Sequence, residues 1–109
     1  MNEREFNDLA EATLHNIELA LENYPDLLEV ERGAGGVLEI TLPDDSQVII
    51  NRHGPAQEIW VASRRGGFHF RPEEGDWRDT RDGTALFTKL ADLLTQHTGT
   101  PIHLSPATA

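Results

Sequence analysis

The feature that most limits what this chain can fold into is a change in the period of its apolar residues. Phe6, Leu9, Ala10, Leu14, Ile17, Leu21 and Tyr24 recur every third or fourth position, the spacing of one helix face. From there the period falls to two. Leu28 and Val30 alternate with Glu29 and Glu31, and Leu38, Ile40 and Leu42 share one side of the next run. The helical period returns with Leu86, Phe87, Leu90, Leu93 and Leu94. The spacing predicts a first helix from about Glu3 to Asn23, capped by Asn2 and ended by Pro25, which cannot continue it. Strands are predicted over 27–31, 37–42, 47–51, 58–63, 68–70 and 77–79, with 72–76 as a loop. A second helix starts at Asp82, Gly83 or Thr84 and is ended by Gly99 and Pro101. Short connections make the strands antiparallel neighbours, and each helix has one apolar face to bury. The expected fold is α+β: a two-layer sandwich with two helices on one face of a mostly antiparallel sheet of five or six strands. At 109 residues it is one domain. The segment 100–109 has no period and is read as a poorly structured tail, although Ile102 and Leu104 can pack against the body.

The first helix carries a second stripe. Asp8, Glu11, His15, Glu18 and Glu22 also recur at helical spacing, on the side away from the apolar face. Between Glu3 and Glu31 the only base is Arg4, so the row has no cation of its own to neutralise it. Adjacent like charges on a helix cost about a few tenths of a kcal/mol per pair. Two readings stand: a solvated face that serves solubility, or a site for a cation or a basic partner.

Charge and composition remove several classes of function. A formal net charge of −10 opposes nucleic acid and anionic membranes as partners. The chain has no cysteine, which excludes disulfides, a thiol nucleophile and thiolate ligation of zinc or an iron–sulfur cluster. No apolar run approaches a membrane span, and the acidic start is unlike a secretory or mitochondrial leader, so the expected location is cytoplasmic. No phosphate-binding glycine loop is present, because the Gly33–Gly36 stretch lies between strands and no G-K-S/T follows. The histidines His15, His53, His69, His97 and His103 are dispersed and read as ordinary surface or partly packed side chains. Nothing reads as an active site, and the chain is expected not to be an enzyme.

The stretch Asn51-Arg52-His53-Gly54-Pro55-Ala56-Gln57-Glu58-Ile59-Trp60 resembles a signature of the frataxin family in its bacterial CyaY form. The opening Met1-Asn2-Glu3-Arg4-Glu5-Phe6, and then Gly35-Gly36-Val37-Leu38, Val48-Ile49-Ile50-Asn51-Arg52, Gly66-Gly67-Phe68-His69-Phe70 and Arg81-Asp82-Gly83, match in order and spacing up to about Gln96. One departure is Glu58, where the family usually has Gln. Asn23, Leu27 and Leu28 stand where relatives are often more acidic, which implies fewer weak metal sites.

The resemblance implies an α+β sandwich that binds iron, Fe²⁺ or Fe³⁺, weakly at its surface, with no organic cofactor. It implies association with the cysteine desulfurase and scaffold complex of iron–sulfur cluster assembly, as a regulator or iron donor; with no coiled coil or long exposed apolar strand to drive oligomers, the chain is expected to be a monomer. Carried over residue by residue, the metal ridge is Glu18, Glu22, Asp26, Glu29 and Glu31, with Asp8 and Glu11 outlying. Asn51 and Trp60 match the sheet signature that faces the partner, with Arg52 and Glu58 beside them. Trp60 has a second reading as a core ring, and Arg52 as the partner of a neighbouring carboxylate. The alternatives are a ferroxidase or iron-storage protein, and an acidic adaptor whose metal binding is incidental.

Overall fold

Helix α1 (Glu3–Leu21) begins where the Asn2 side chain accepts the Glu5 N–H at 2.8 Å, as a capping residue should. It ends two residues before the expected Asn23. The N–H groups of Asn23 and Tyr24 turn to carbonyls three residues back, on Ala20 and Leu21, which tightens the last turn ahead of Pro25. In this computed structural model, which describes residues 1–73 and 75–104, six strands follow: β1 (Glu29–Gly33), β2 (Val37–Thr41), β3 (Gln47–His53), β4 (Glu58–Ser63), β5 (Gly66–Glu73) and β6 (Asp76–Asp79). Helix α2 (Leu86–Thr98) closes the chain. Each strand pairs antiparallel with its chain neighbour, in the order β1-β2-β3-β4-β5-β6. The α+β sandwich holds, with six strands.

Several other boundaries moved, three of them for a plain local reason. β1 starts at Glu29 because the N–H groups of Leu27 and Leu28 are both spent on the Tyr24 carbonyl. β5 runs to Glu73 through the predicted loop, of which Glu74 lies outside the described residues. Its Pro72 is tolerated because β4 pairs only as far as Phe70, so no ladder bond is lost on that side. α2 starts at Leu86 because Asp82 takes the Thr84 N–H at 2.9 Å and holds 82–84 in a turn, while Ala85 is extended.

One face of the sheet meets both helices. Leu38, Ile40, Val48, Ile50, Ile59, Val61, Phe70 and Trp77 are buried with Phe6, Ala10, Leu14, Ile17 and Leu21 of α1 and Leu86, Leu90 and Leu94 of α2. Each fully buried large side chain contributes about 1.5–3 kcal/mol. A polar tie runs through this core. The Trp77 Nε1–H donates to Thr13 Oγ1 at 2.7 Å, Thr13 donates to the Leu9 carbonyl at 2.9 Å, and Trp77 meets Phe6 ring-edge at 6.0 Å.

The tail expectation is corrected over residues 100–104. Ile102 is buried, and its N–H donates to Thr95 Oγ1 at 2.9 Å. Tyr24 Oη accepts the His103 N–H at 2.9 Å and donates to its carbonyl at 3.2 Å. This segment is therefore tied to both helical ends of the chain. Residues 105–109 lie outside the described residues.

Candidate functional site

Alternation along the strands decides which side chains face the helices and which face away from them. Val30 and Arg32 of β1 share the helix side with Leu38 and Ile40, their register partners. Glu29 and Glu31 therefore stand on the open face. There Glu31 lies directly across from Glu39, a like-charge pair that opposes strand pairing. Glu39 was missed by the sequence reading; the alternation of 37–42 already placed it outward.

The expectation of an unneutralised helix row is corrected. Arg32 Nη2 meets Glu11 at 2.7 Å and Arg32 Nη1 meets Glu18 at 3.1 Å. Arg52 Nη1 takes the other Glu11 oxygen at 2.9 Å. A chain Arg52–Glu11–Arg32–Glu18 thus pins α1 to β1 and β3. Arg52 stands on the helix side, away from Asn51 and Trp60, and its pairing reading is the one the geometry favours. Gly36 makes room for it: at φ +80° a Cβ there would lie 2.9 Å from Arg52 Nε. Among the described residues Asp8, Glu22, Asp26, Glu29, Glu31 and Glu39 have no ion pair. Glu22 and Asp26 sit at the exit of α1 and the other two ridge residues on edge strand β1, all exposed. No three His, Asp or Glu side chains among the described residues converge closely enough to hold a metal ion. The ridge is a row of separate carboxylates.

The second candidate region lies on the open face of β3, β4 and β5. Asn51 is directly opposite Trp60, and Trp60 directly opposite His69. The indole is sandwiched: His53 stacks on one face at 3.7 Å between centroids and 11°, His69 on the other at 4.6 Å and 12°. Trp60 is half-buried on the sheet surface, not a core ring. Glu58, two residues earlier on the same face, is only 5% exposed. Its Oε1 accepts the Trp60 Nε1–H at 2.8 Å and its Oε2 accepts the Arg71 Nε–H at 2.9 Å, with His69 Nδ1 3.6 Å from Oε1. Burial pushes the Glu58 carboxyl up. The hydrogen bonds from Trp60 and Arg71, then the charges of Arg71 and His69, outweigh it and hold the carboxyl below the ordinary glutamate range. The two histidines, scattered in sequence, are brought together by register alone.

A third cluster was not foreseen. Asp79, 4% exposed, meets Lys89 of α2 at 3.1 Å, and Asp82 meets the same ammonium at 2.8 Å. The Lys89 hydrogen bond, with the Thr84 N–H, lowers Asp82 to about 2, and the bond to Asp82 raises Lys89. This pairing fixes the β6–α2 turn and leaves no free group for chemistry.

A sequence model of the frataxin-like domain matches residues 1–100. The chain is 51% identical over 104 residues to an iron–sulfur cluster assembly protein CyaY from Dechloromonas aromatica, covering 95% of this chain and 99% of the relative. It is 44% identical to a CyaY protein of the same description from Paraburkholderia xenovorans, covering 94% and 97%. In structure it resembles frataxin from Psychromonas ingrahamii with a TM-score of 0.89 at 25% identity, covering 96% of this chain and 99% of the other. It also resembles a trimeric frataxin from the yeast Saccharomyces cerevisiae complexed with ferrous iron, with a TM-score of 0.67 at 27% identity, over 92% and 88%.

Proposed function

The chain belongs to the frataxin family, and from that premise we propose that it is an iron-binding regulator and iron donor of iron–sulfur cluster assembly that docks on the cysteine desulfurase complex. The observation that carries this reading is the row Glu22, Asp26, Glu29 and Glu31, exposed and without ion-pair partners among the described residues. Carboxylate oxygens are hard ligands suited to Fe²⁺ and Fe³⁺. Carboxylates that do not converge offer one or two ligands at a time, with water completing the shell. Iron held in that way exchanges readily, which suits delivery. The relatives named as iron–sulfur cluster assembly proteins, and the yeast frataxin complexed with ferrous iron, support the assignment of pathway and cargo.

In this reading the protein acts by binding, as a monomer in the cytoplasm, and catalyses no step. The acidic edge steers it to a basic surface of the desulfurase, and the Trp60 surface meets the complex at close range. A second reading, iron storage with ferroxidase activity, is favoured by one observation: the yeast relative complexed with ferrous iron is a trimer. Aerobic oxidation of Fe²⁺ at catalytic protein levels, with sedimentation in the presence of iron, separates the two. The test of the first reading is an amide-by-amide NMR titration with Fe²⁺, or with Mn²⁺ or Co²⁺ in its place, and then with desulfurase. Perturbation is expected around Glu22, Asp26, Glu29 and Glu31 and less at Glu18, which Arg32 already holds. Perturbation centred on the histidines overturns the metal assignment.

A further inference from the structure

We propose that Glu58 is a positioning residue: it does not meet the docking partner but fixes the Trp60 indole, and Arg71 with it, into one preformed surface on the open face of the sheet. The proposal rests on the reading that this face docks a partner. Glu58 alternates toward the open side, yet it is the more buried of the two neighbours, because the side chains of Trp60 and Arg71 lie over it. A partner approaching the sheet meets those side chains first.

The constraint on Trp60 is complete. Stacking on His53 and His69 blocks both faces of the ring, and the bond from Nε1 to Glu58 fixes its edge. His53 is itself held, because its Nδ1 accepts the Ala56 N–H at 3.2 Å. A ring caught on three sides keeps one rotamer, so docking loses little side-chain entropy. The second carboxylate oxygen carries the constraint to β5. Arg71 is otherwise well exposed, with 68% of its side chain open, and the Glu58 bond gives it a fixed place beside the indole. A glutamine at this position can still accept from Trp60, but its NH₂ would then face the Arg71 Nε–H, donor against donor. Glutamate alone satisfies both neighbours. The depressed titration of this carboxyl agrees with a charged form that both donors require.

The test reads the indole N–H of Trp60 in the full ¹⁵N-labelled chain, with the Trp77 indole, bonded to Thr13, as internal reference. Glu58→Met keeps the volume and removes both acceptors. It should speed Trp60 indole exchange about tenfold or more and leave Trp77 unchanged. Glu58→Gln should keep most of the protection and release Arg71. In the wild type the Trp60 indole resonance should shift as Glu58 takes a proton in acid, and in Glu58→Gln that titration should vanish. A Trp60 indole that exchanges and resonates in Glu58→Met as in wild type overturns the proposal. If Glu58→Met fails to fold, a Trp60 resonance with the same acid profile in wild type and Glu58→Gln overturns it equally. Kinetics with the desulfurase–scaffold complex separate the two levels. A loosened indole with several-fold weaker docking supports both. A loosened indole with unchanged docking supports positioning and overturns the docking role of this face.

Discussion

The acidic edge and the ring stack use carboxylates in opposite ways. Glu22, Asp26, Glu29 and Glu31 are exposed and without ion pairs among the described residues, and none depends on another for its place. Glu58 is covered, and each of its oxygens holds a different neighbour. The first arrangement makes a field, spread over several charges and felt at a distance. The second makes a shape, held by short bonds and felt only on contact. A field tolerates the loss of one charge, whereas a shape does not tolerate the loss of its keystone.

Several measurements break or sharpen that contrast. The largest effect is expected at the stack: Trp60→Ala should weaken docking to the desulfurase complex by about 2 kcal/mol or more, mainly through faster dissociation. Surface-plasmon kinetics check this, and an unchanged dissociation rate removes the stack as the anchor. Next, Glu58→Met leaves the indole N–H without its acceptor and should lower stability by about 1–2 kcal/mol in urea unfolding. The acid limb carries the same information. The folded-state carboxyl lies below its ordinary range, so its contribution is complete above that range and lost as pH falls through the lower folded value. Glu58→Gln should flatten that part of the stability profile.

At the edge the effects shrink. Arg32→Gln breaks the pairs to Glu11 and Glu18, half-exposed contacts together worth about 1 kcal/mol or less, and should lower the melting temperature slightly. It should also raise Mn²⁺ affinity, because Glu18 becomes available, and with it the one Glu11 oxygen that Arg52 does not hold. Charge reversal sharpens the point: Glu18→Lys sets a cation against Arg32 and should destabilise, whereas Glu22→Lys should leave the melting temperature unchanged or raise it. Smallest of all, Glu29→Gln or Glu31→Gln should each alter docking by about a few tenths of a kcal/mol, by slowing association, and the difference should fade as salt rises. A single such change that costs as much as Trp60→Ala would mean that the edge, too, works by fixed contacts.

What the sequence disclosed follows the range of the interaction involved. Helical and alternating periods are local, so both helices, all six strands and the core face were legible. The acidity of the first helix and strand was legible as composition, and only the resemblance made a ridge of it. Its partial neutralisation was not, because Arg32 and Arg52 reach Glu11 only once β1 and β3 lie beneath α1. Glu58 shows the limit of alternation. The pattern gives the direction of a side chain but not what later folds over it, and the cover here comes from Trp60 on its own strand and Arg71 on the next. Thr13 shows the converse, a polar residue inside an apolar stripe whose partner, Trp77, is far along the chain. The resemblance added Asn51 and Trp60 as a pair, and the register sets them opposite each other.

The meander has a consequence for how quickly the chain reaches this state. Every strand pairs with the one next to it in sequence, so the sheet can grow hairpin by hairpin with short loops to close. The expensive closures are the contacts that join the two ends of the chain: Thr13 to Trp77, Phe6 to Trp77, and Tyr24 to the backbone of His103. The nucleus is therefore expected in the central hairpins, with the docking of α1 and of the segment around Ile102 after the main barrier. Truncating Ile102 should then speed unfolding while leaving the refolding rate nearly unchanged, whereas truncating Ile50 or Val61 should slow refolding. The contacts that bind the chain ends together act as a latch, governing how long the native state lasts rather than how fast it is found.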